Sequence, residues 1–317
     1  METSTHQRMM HDLAAHHQAL LPLIGRSTVQ YLDIPVHDNI GDQLIYLGTL
    51  SFFRKNNIPV KVVSSYHNYS PKRDNSVLLL HGGGNLGDLY EWHEFFRERI
   101  ISRNKDRRII ILPQTIFFQD TANLRRARRV MSSHPDLYIC VRDENSLGIA
   151  RQLSEKAMLL PDMAHQLYPI LQARQTAKKL STLAIKRTDP ESTRNLDAAN
   201  LHLDTSTDWP MLVGYREGRR IRRAVRALRA LTKIGLASAT AKPFSSWWER
   251  ESNNLVNQAI DLFSRHKLVV TDRLHAHILA CLMDIPSKVI DNHYGKNSSY
   301  TRAWTASSPL TQFLVVK

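Results

Sequence analysis

The sequence has no run of roughly 18 uninterrupted apolar residues, the length a membrane-crossing helix needs. Stretches such as Val77–Leu80 and Leu268–Val270 are only strand-sized. Glycine and proline are sparse, 12 and 13 in 317 residues, which excludes collagen-like and linker-like chains. The two cysteines, Cys140 and Cys281, sit in apolar segments without metal or redox spacing, so both are expected to be buried reduced thiols. H-E-x-x-H, P-loop and G-x-S-x-G motifs are all missing, and with them go zincin, P-loop and α/β-hydrolase chemistry. The opening METSTHQRMMHDLAAHHQALLPLIG carries neither a basic start nor a signal-type apolar block. A cytoplasmic protein is expected.

Hydrophobic residues make up 42% and charged residues 23%, enough apolar content for packed cores and too little charge for wholesale disorder. The length suits two domains of roughly 100–200 residues each. Lys and Arg number 43 against 29 Asp and Glu, a formal charge of +14. Such an excess points to an anionic partner: nucleic acid, an anionic membrane face or a phosphorylated substrate. No zinc finger, helix-turn-helix or RNA-binding aromatic signature accompanies it, so nucleic acid is not expected.

Short β-rich runs alternate with amphipathic stretches. Strands are expected at Val29–Val36, Val60–Ser65, Val77–Leu80, Arg108–Leu112, Leu137–Val141 and Met158–Leu160. Helices are expected at Asp42–Asn56, Glu91–Asn104, Thr121–Ser133 and Glu144–Ser154. Mostly buried strands separated by helices make an α/β fold with a parallel sheet covered on both faces. The polar segment Tyr168–Leu180 reads as the domain boundary, and 188–210 as loop. Beyond it come a strand at Thr182–Ile185, helices at Arg216–Ile234 and Trp247–His266, a strand at Leu268–Val270, a helix at Leu274–Met283 and a last strand at Ser287–Ile290, a second and smaller α/β unit.

Ligands of open parallel sheets bind beyond the carboxyl ends of strands, and there the unusual residues collect. His37-Asp38-Asn39-Ile40-Gly41-Asp42, His81-Gly82-Gly83-Gly84-Asn85, Pro113-Gln114-Thr115, Arg142-Asp143-Glu144-Asn145-Ser146, Pro161-Asp162, Lys186-Arg187 and Thr271-Asp272-Arg273-Leu274-His275 each close a strand. Gly82, Gly84 and Gly87 satisfy G-x-G-x-x-G, yet the next strand ends in Pro113-Gln114 rather than the acidic residue a dinucleotide site needs. What remains is a Gly-rich turn that lets backbone approach a ligand.

Thr271 or Asp272 reads as the N-cap of the following helix, with Arg273, Leu274 and His275 in its first turn. Unpaired backbone N–H groups with Arg and His beside them make a phosphate site. The alternative is a capped helix whose Arg pairs with a carboxylate and whose His is a core residue. His275 and His277 diverge by about 200° around the helix, so no metal site is expected. The carboxylates of Asp38 and Asp42 suit sugar hydroxyls or a general base, or else the segment only caps a helix. Arg216–Lys233 holds seven Arg and one Lys opposite Ile221, Val225, Leu228 and Leu231. This amphipathic basic helix is read as lying on an anionic membrane, lining a groove for an acidic polymer, or forming a solvated face.

Taken in order, Asp38-Asn39-Ile40-Gly41-Asp42, Gly82-Gly83-Gly84-Asn85, Arg142-Asp143-Glu144-Asn145-Ser146, Pro161-Asp162 and Asp272-Arg273-Leu274-His275 resemble the polysaccharide pyruvyl transferase family, its bacterial exopolysaccharide branch in particular. The resemblance runs from about Tyr31 to Lys296. Pro113-Gln114-Thr115-Ile116 departs from it, standing where many relatives carry a more Gly-rich turn.

The resemblance implies two Rossmann-like domains facing a cleft, similar to the glycosyltransferase B arrangement. Residues 1–28 would form a helical extension, 29–170 the acceptor-side domain and 178–317 the donor-side domain. It implies transfer of the pyruvyl group of phosphoenolpyruvate to a sugar, with a cyclic ketal formed and phosphate released. Arg273, Leu274 and His275 would hold phosphoenolpyruvate, with Arg187 as a further anion contact. His275 is the candidate acid and Asp38 or Asp42 the candidate base. Asn39, Gly41, Gly83, Gly84, Asn85 and Arg142 fall to the acceptor or cleft. No cofactor or metal is implied, and the acceptor is a sugar or a lipid-linked oligosaccharide. A lipid-linked acceptor would give Arg216–Lys233 its reason, docking the enzyme on the inner face of the plasma membrane. The competing readings are a nucleotide-sugar glycosyltransferase and a non-catalytic binder of anionic polymer or membrane.

Overall fold

A computed structural model describes residues 4–71, 74–168, 180–188, 203–293 and 295–315. Two sheets organise the chain. The first has seven strands in the order β2-β1-β3-β5-β6-β7, with β4 paired to β5; the second has five in the order β12-β11-β10-β8-β9. In the first sheet β1 is Val29–Leu32, β2 Val60–Ser64, β3 Val77–Leu80, β4 Gly83–Gly87, β5 Ile109–Phe117, β6 Leu137–Val141 and β7 Lys156–Leu159. In the second, β8 is Leu180–Ile185, β9 Thr205–Thr207, β10 His266–Thr271, β11 Ser287–Ile290 and β12 Thr311–Leu314. Every pairing is parallel.

Parallel pairing follows from the sequence pattern. Leu79 and Ile110 enter one apolar cluster while Leu78, Leu80, Ile109 and Ile111 enter another, on the opposite side of the sheet. Both faces are therefore buried, which is why the strands read as unbroken apolar runs instead of alternating ones. The first cluster also takes in Leu183, Ile185 and Val269, so one continuous core joins both sheets.

The helices α1 (Thr5–His16) and α2 (Leu21–Ile24) precede β1, and α3 (Ile40–Lys55), α4 (Glu91–Arg103), α5 (Thr121–Met131) and α6 (Glu144–Leu153) lie close to where the periodicity puts them. The N-terminal helix is tied to both halves. His6 bonds Ser308 Oγ at 2.6 Å and the Cys281 carbonyl at 3.0 Å, and His17 Nε2 bonds the Pro161 carbonyl at 2.9 Å. Cys140 and Cys281 are free and buried, and burial pushes each thiol up to about 12. Among the described residues no helix is long and apolar enough to cross a membrane.

Several expectations need correction. Gly83–Gly87 is a strand, not a turn, and it occupies the place beside β5 that β3 vacates. β5 runs through Pro113-Gln114-Thr115, whose residues are buried in the sheet. Ser287–Ile290 is not the last strand, since Thr311–Leu314 pairs beside it. Within 188–210 lie β9 and the short helix Trp209–Leu212; residues 189–202 of that stretch, and 169–179 of the expected boundary, are outside the described residues. The helix expected from Trp247 extends back through Pro243 to Ala237. The N-cap of Leu274–Leu282 is Arg273 itself, with Thr271 Oγ1 accepting from its backbone N–H at 2.9 Å.

Burial of so many histidines has a consequence for stability. His17 is lowered to about 4 and His81, His165 and His277 to about 3, in each case chiefly by desolvation. An unfolded chain takes up these protons as pH falls below about 6.5 while the folded one does not, so stability drops with falling pH. Glu94, raised by burial to about 7, and Asp272, also raised by burial, work the other way; the four histidines outnumber them. Each histidine contributes a slope on the order of 1 kcal/mol per pH unit. The urea midpoint is expected to fall between pH 7 and pH 5, before carboxylates other than Glu94 and Asp272 titrate. A flat midpoint over that range would contradict the neutral state of these imidazoles.

Candidate active site

Strand order decides where a ligand goes. In the first sheet β1 leads to β2 on one side while β3 lies on the other; in the second, β8 leads to β9 on one side while β10 lies on the other. Each is a switch point, where the crevice outside the strand ends is open. One cavity of about 230 Å³ opens at both. From the first sheet come His37, Asn39 and Asp42 after β1, Gly84 and Asn85 in β4, and Tyr90 and His93 at the start of α4. From the second come Arg187 after β8, Trp209 after β9, Arg273, Leu274 and His275 after β10, and Lys296 after β11.

Local chemistry fixes each approach. Asn39 caps α3, its Oδ1 accepting from the Gly41 N–H at 3.0 Å, which presents Asp42 from the first turn. Gly41 does not line the cavity. Its Cα faces the imidazole of His275, and a methyl group there would lie 2.7 Å from Nδ1. Gly83 has φ +125, a backbone state open mainly to glycine. A methyl group on Gly84 would lie 2.8 Å from Lys296 Nζ and 3.1 Å from Arg142 Nη2, so glycine at 84 makes room for both cations.

His275 is held from behind. Its Nε2 is 3.3 Å from Asp162 Oδ2 and 3.3 Å from Arg142 Nη1. Arg142 pairs in turn with Asp162 and donates from Nε to Thr115 Oγ1 at 2.9 Å. Burial lowers the His275 pKa, with Asp162 opposing. Burial alone would raise the Asp162 carboxyl, but His275 and then Arg142 outweigh it and hold it well below the usual carboxylate range.

The rest of the cavity is cationic. Arg187, Arg273 and Lys296 face it against one carboxylate, Asp42. Burial would raise the Asp42 carboxyl as well, but His37, His275, His81 and Lys296 keep it below its ordinary value. Arg273 is braced by Asp208, its Nη2 donating to Oδ2 at 2.7 Å beside a second contact from Nε. Asp208 also accepts from the Thr188 and Trp209 backbone N–H groups at 3.0 and 2.7 Å. The Arg187 N–H donates to Asp272 Oδ1 at 2.8 Å. Leu274 and His275 open the nine-residue helix Leu274–Leu282, where the first N–H groups lack intrahelical acceptors.

Most residues singled out in the sequence meet here, with exceptions. Asp38 does not line the cavity; Asp42 does. Arg142, expected at the acceptor, is fully buried behind His275. Gly83 backs onto Asp42 and Ile45. In the Thr271–His275 cluster Arg273 pairs with a carboxylate and still faces the cavity.

Asp162 closed a motif without a role being visible, and Lys296 stood out only as the far end of the resemblance. His93, Tyr90 and Trp209 gave no local signal. Among the described residues no group of three or more His, Cys, Asp or Glu is placed to hold a metal ion.

Comparison with known proteins bears on this geometry. Residues 39–294 match the family described as polysaccharide pyruvyl transferase. The chain is 35% identical over 302 residues to EpsO of Bacillus subtilis, a protein named for pyruvyl transfer, covering 93% of this chain and 91% of that one. It is 27% identical over 308 residues to pyruvyl transferase 1 of Schizosaccharomyces pombe, covering 92% and 73%. A crystal structure of a protein of uncharacterised function from Klebsiella pneumoniae superposes with a TM-score of 0.57 at 19% identity, covering 99% of this chain and all of that one; it speaks to fold alone.

Proposed function

Because the chain belongs to the polysaccharide pyruvyl transferase family, we propose that it takes the pyruvyl group from phosphoenolpyruvate and fixes it as a cyclic ketal on two hydroxyls of a sugar. The sugar belongs to an exopolysaccharide or its lipid-linked precursor. The observation that carries the donor assignment is the N-terminus of Leu274–Leu282, where Arg273, Leu274 and His275 meet Arg187 and Lys296 in one cavity. Three cations beside free helix N–H groups match a small trianion.

In this reading Arg187, Arg273 and Lys296 neutralise phosphate and carboxylate, and Leu274 presents its backbone N–H. The arriving trianion favours imidazolium at His275, which then protonates the methylene carbon. Asn39, Asp42 and Asn85 hold sugar hydroxyls on the opposite wall. Arg142 and Asp162 act through His275. Residues 29–170 serve as the acceptor half and 178–317 as the donor half of an arrangement like that of glycosyltransferase B.

The helix Tyr215–Lys233 buries Ile221 and Leu228 while Arg216, Arg219, Arg222, Arg223 and Arg226 are exposed. That free basic face supports a place on anionic lipid at the cytoplasmic side of the membrane, where a lipid-linked acceptor is reached.

Thermal denaturation tests the donor assignment. Saturating phosphoenolpyruvate is expected to stabilise the wild type by about 2.7 kcal/mol at a hundred times its dissociation constant. Arg187→Ala should lose most of this. Arg273→Lys is a further variant, because lysine keeps a cation against Asp208 but not the planar fork. Stabilisation by UDP-sugars and none by phosphoenolpyruvate would instead indicate a nucleotide-sugar glycosyltransferase.

A further inference from the structure

Besides His37 and Asp42, whose Nε2 and Oδ2 lie 3.6 Å apart, two aspartate–histidine pairs reach this cavity, and the donor chemistry above uses one. The other is Asp33–His93. His93 Nδ1 lies 2.8 Å from Asp33 Oδ1, and Arg97 Nη2 lies 2.8 Å from Asp33 Oδ2. Asp162 also meets a histidine and an arginine, although there His275 Nε2 and Arg142 Nη1 both reach Oδ2. Asp33 is fully buried, and its φ of +62 is one that few residues besides glycine adopt. Such strain tends to persist where the surroundings over-determine a geometry of functional use. Nδ1 is engaged by Asp33, which leaves Nε2 as the ring nitrogen for further chemistry, and the His93 ring lines the cavity.

His93 also stands at a boundary. The Tyr66 ring meets it edge-on with centroids 5.0 Å apart. Tyr66 belongs to a second hollow of about 600 Å³ lined by Trp92, Phe95, Phe96 and Arg229. Trp92 is 75% exposed, a flat apolar face of the kind a pyranose ring packs on. His93 thus lies between that cavity and this aromatic-lined hollow.

We propose that His93 is the general base for the acceptor hydroxyl and that Asp33 is its positioning residue; this rests on the donor assignment above. Nε2 takes the proton as the sugar oxygen bonds to C2 of phosphoenolpyruvate. The C2–C3 π pair takes a proton from His275 to make the methyl group. The C2–O bond then breaks and its electron pair leaves with phosphate, and the second hydroxyl oxygen closes the ketal. Of the two hydroxyl protons, one replaces that given by His275 and the other departs on phosphate. His37, His275, His81 and Lys296 hold the Asp42 carboxyl below its ordinary value, which weakens it as a base.

The groups facing His93 are Asp33 and His37 beyond β1, Tyr66 and His67 after β2, His81 after β3, and Arg97 on α4. The test is turnover with phosphoenolpyruvate and whichever p-nitrophenyl glycoside the wild type pyruvylates best. His93→Gln is expected to lose about 100-fold in kcat with the phosphoenolpyruvate thermal shift intact, and to lose the acid limb of its pH profile. Added imidazole should restore part of the rate of His93→Ala. Asp33→Asn, a residue tolerant of positive φ, should move the acid limb to lower pH, because the charge favouring imidazolium is gone. Wild-type kcat in His93→Gln overturns the proposal. So does a loss confined to acceptor KM, with an unchanged acid limb and no imidazole rescue. A wild type that phosphoenolpyruvate does not stabilise defeats the donor assignment, and this proposal with it.

Discussion

His275→Gln is expected to lose about three orders of magnitude in kcat while phosphoenolpyruvate still stabilises the protein. Glutamine keeps a polar group of similar reach in front of Asp162, so the pocket does not collapse. It cannot, however, deliver a proton to carbon. Positioned proton transfer is worth about 10²–10⁴ in rate. Phosphate release in the presence of acceptor, followed alongside thermal shift, separates the two roles. A variant with normal kcat and weakened donor affinity would mean that His275 binds and does not protonate. Asp162→Asn should follow it part of the way, since asparagine keeps the hydrogen bond and removes the charge that favours imidazolium.

Arg142→Ala is expected to cost about 3–5 kcal/mol of stability. Arg142 and Asp162 are both fully buried, and Asp162 keeps its charge through His275 and Arg142. Taking the guanidinium away leaves a carboxylate in the interior with only the His275 imidazole and the Ala164 N–H, 2.9 Å from Oδ1, to hold it. It also removes the donor to Thr115 Oγ1. The double change Arg142→Met with Asp162→Asn should recover most of the loss, because it removes both charges together and fills similar volume. Urea midpoints of the single and double variants decide the matter. An Arg142→Ala midpoint within about 1 kcal/mol of wild type would show that His275 takes up a proton on folding and carries the pairing alone.

The sequence made much of the first sheet legible. Val77–Leu80 and Leu137–Val141 coincide with observed strands, because apolar runs buried on both faces leave few other readings. The start of α3 at Asn39 and the exposed arginines of Tyr215–Lys233 were equally visible, since caps and helix periodicity depend on neighbours three or four residues away. Glycine misled where backbone pairing replaced turn chemistry. Gly83–Gly87 extends along β5 because β3 ends three residues earlier and leaves that edge unpaired. Thr311–Leu314 escaped notice for the opposite reason, as an outer strand only partly buried and without a strong apolar signal.

At the site the same division holds. Arg273-Leu274-His275 could be read as an anion site because the helix start is local. Nothing local ties Asp162 to His275, which are 113 positions apart and 3.3 Å distant, or Asp33 to His93. Lys296 meets Gly84 only because β11 delivers its carboxyl end to the cavity that β4 borders.

By itself the sequence determined the parallel α/β architecture, the capped helix starts and the Arg-Leu-His terminus, all of which are settled by short-range periodicity and hydrogen bonding. Only the tertiary structure decided which strand ends share one cavity, which aspartate stands behind each histidine and which cations remain facing inward. Those depend on strand order and on the setting of one sheet against the other, and burial among groups distant in sequence then fixes their charges.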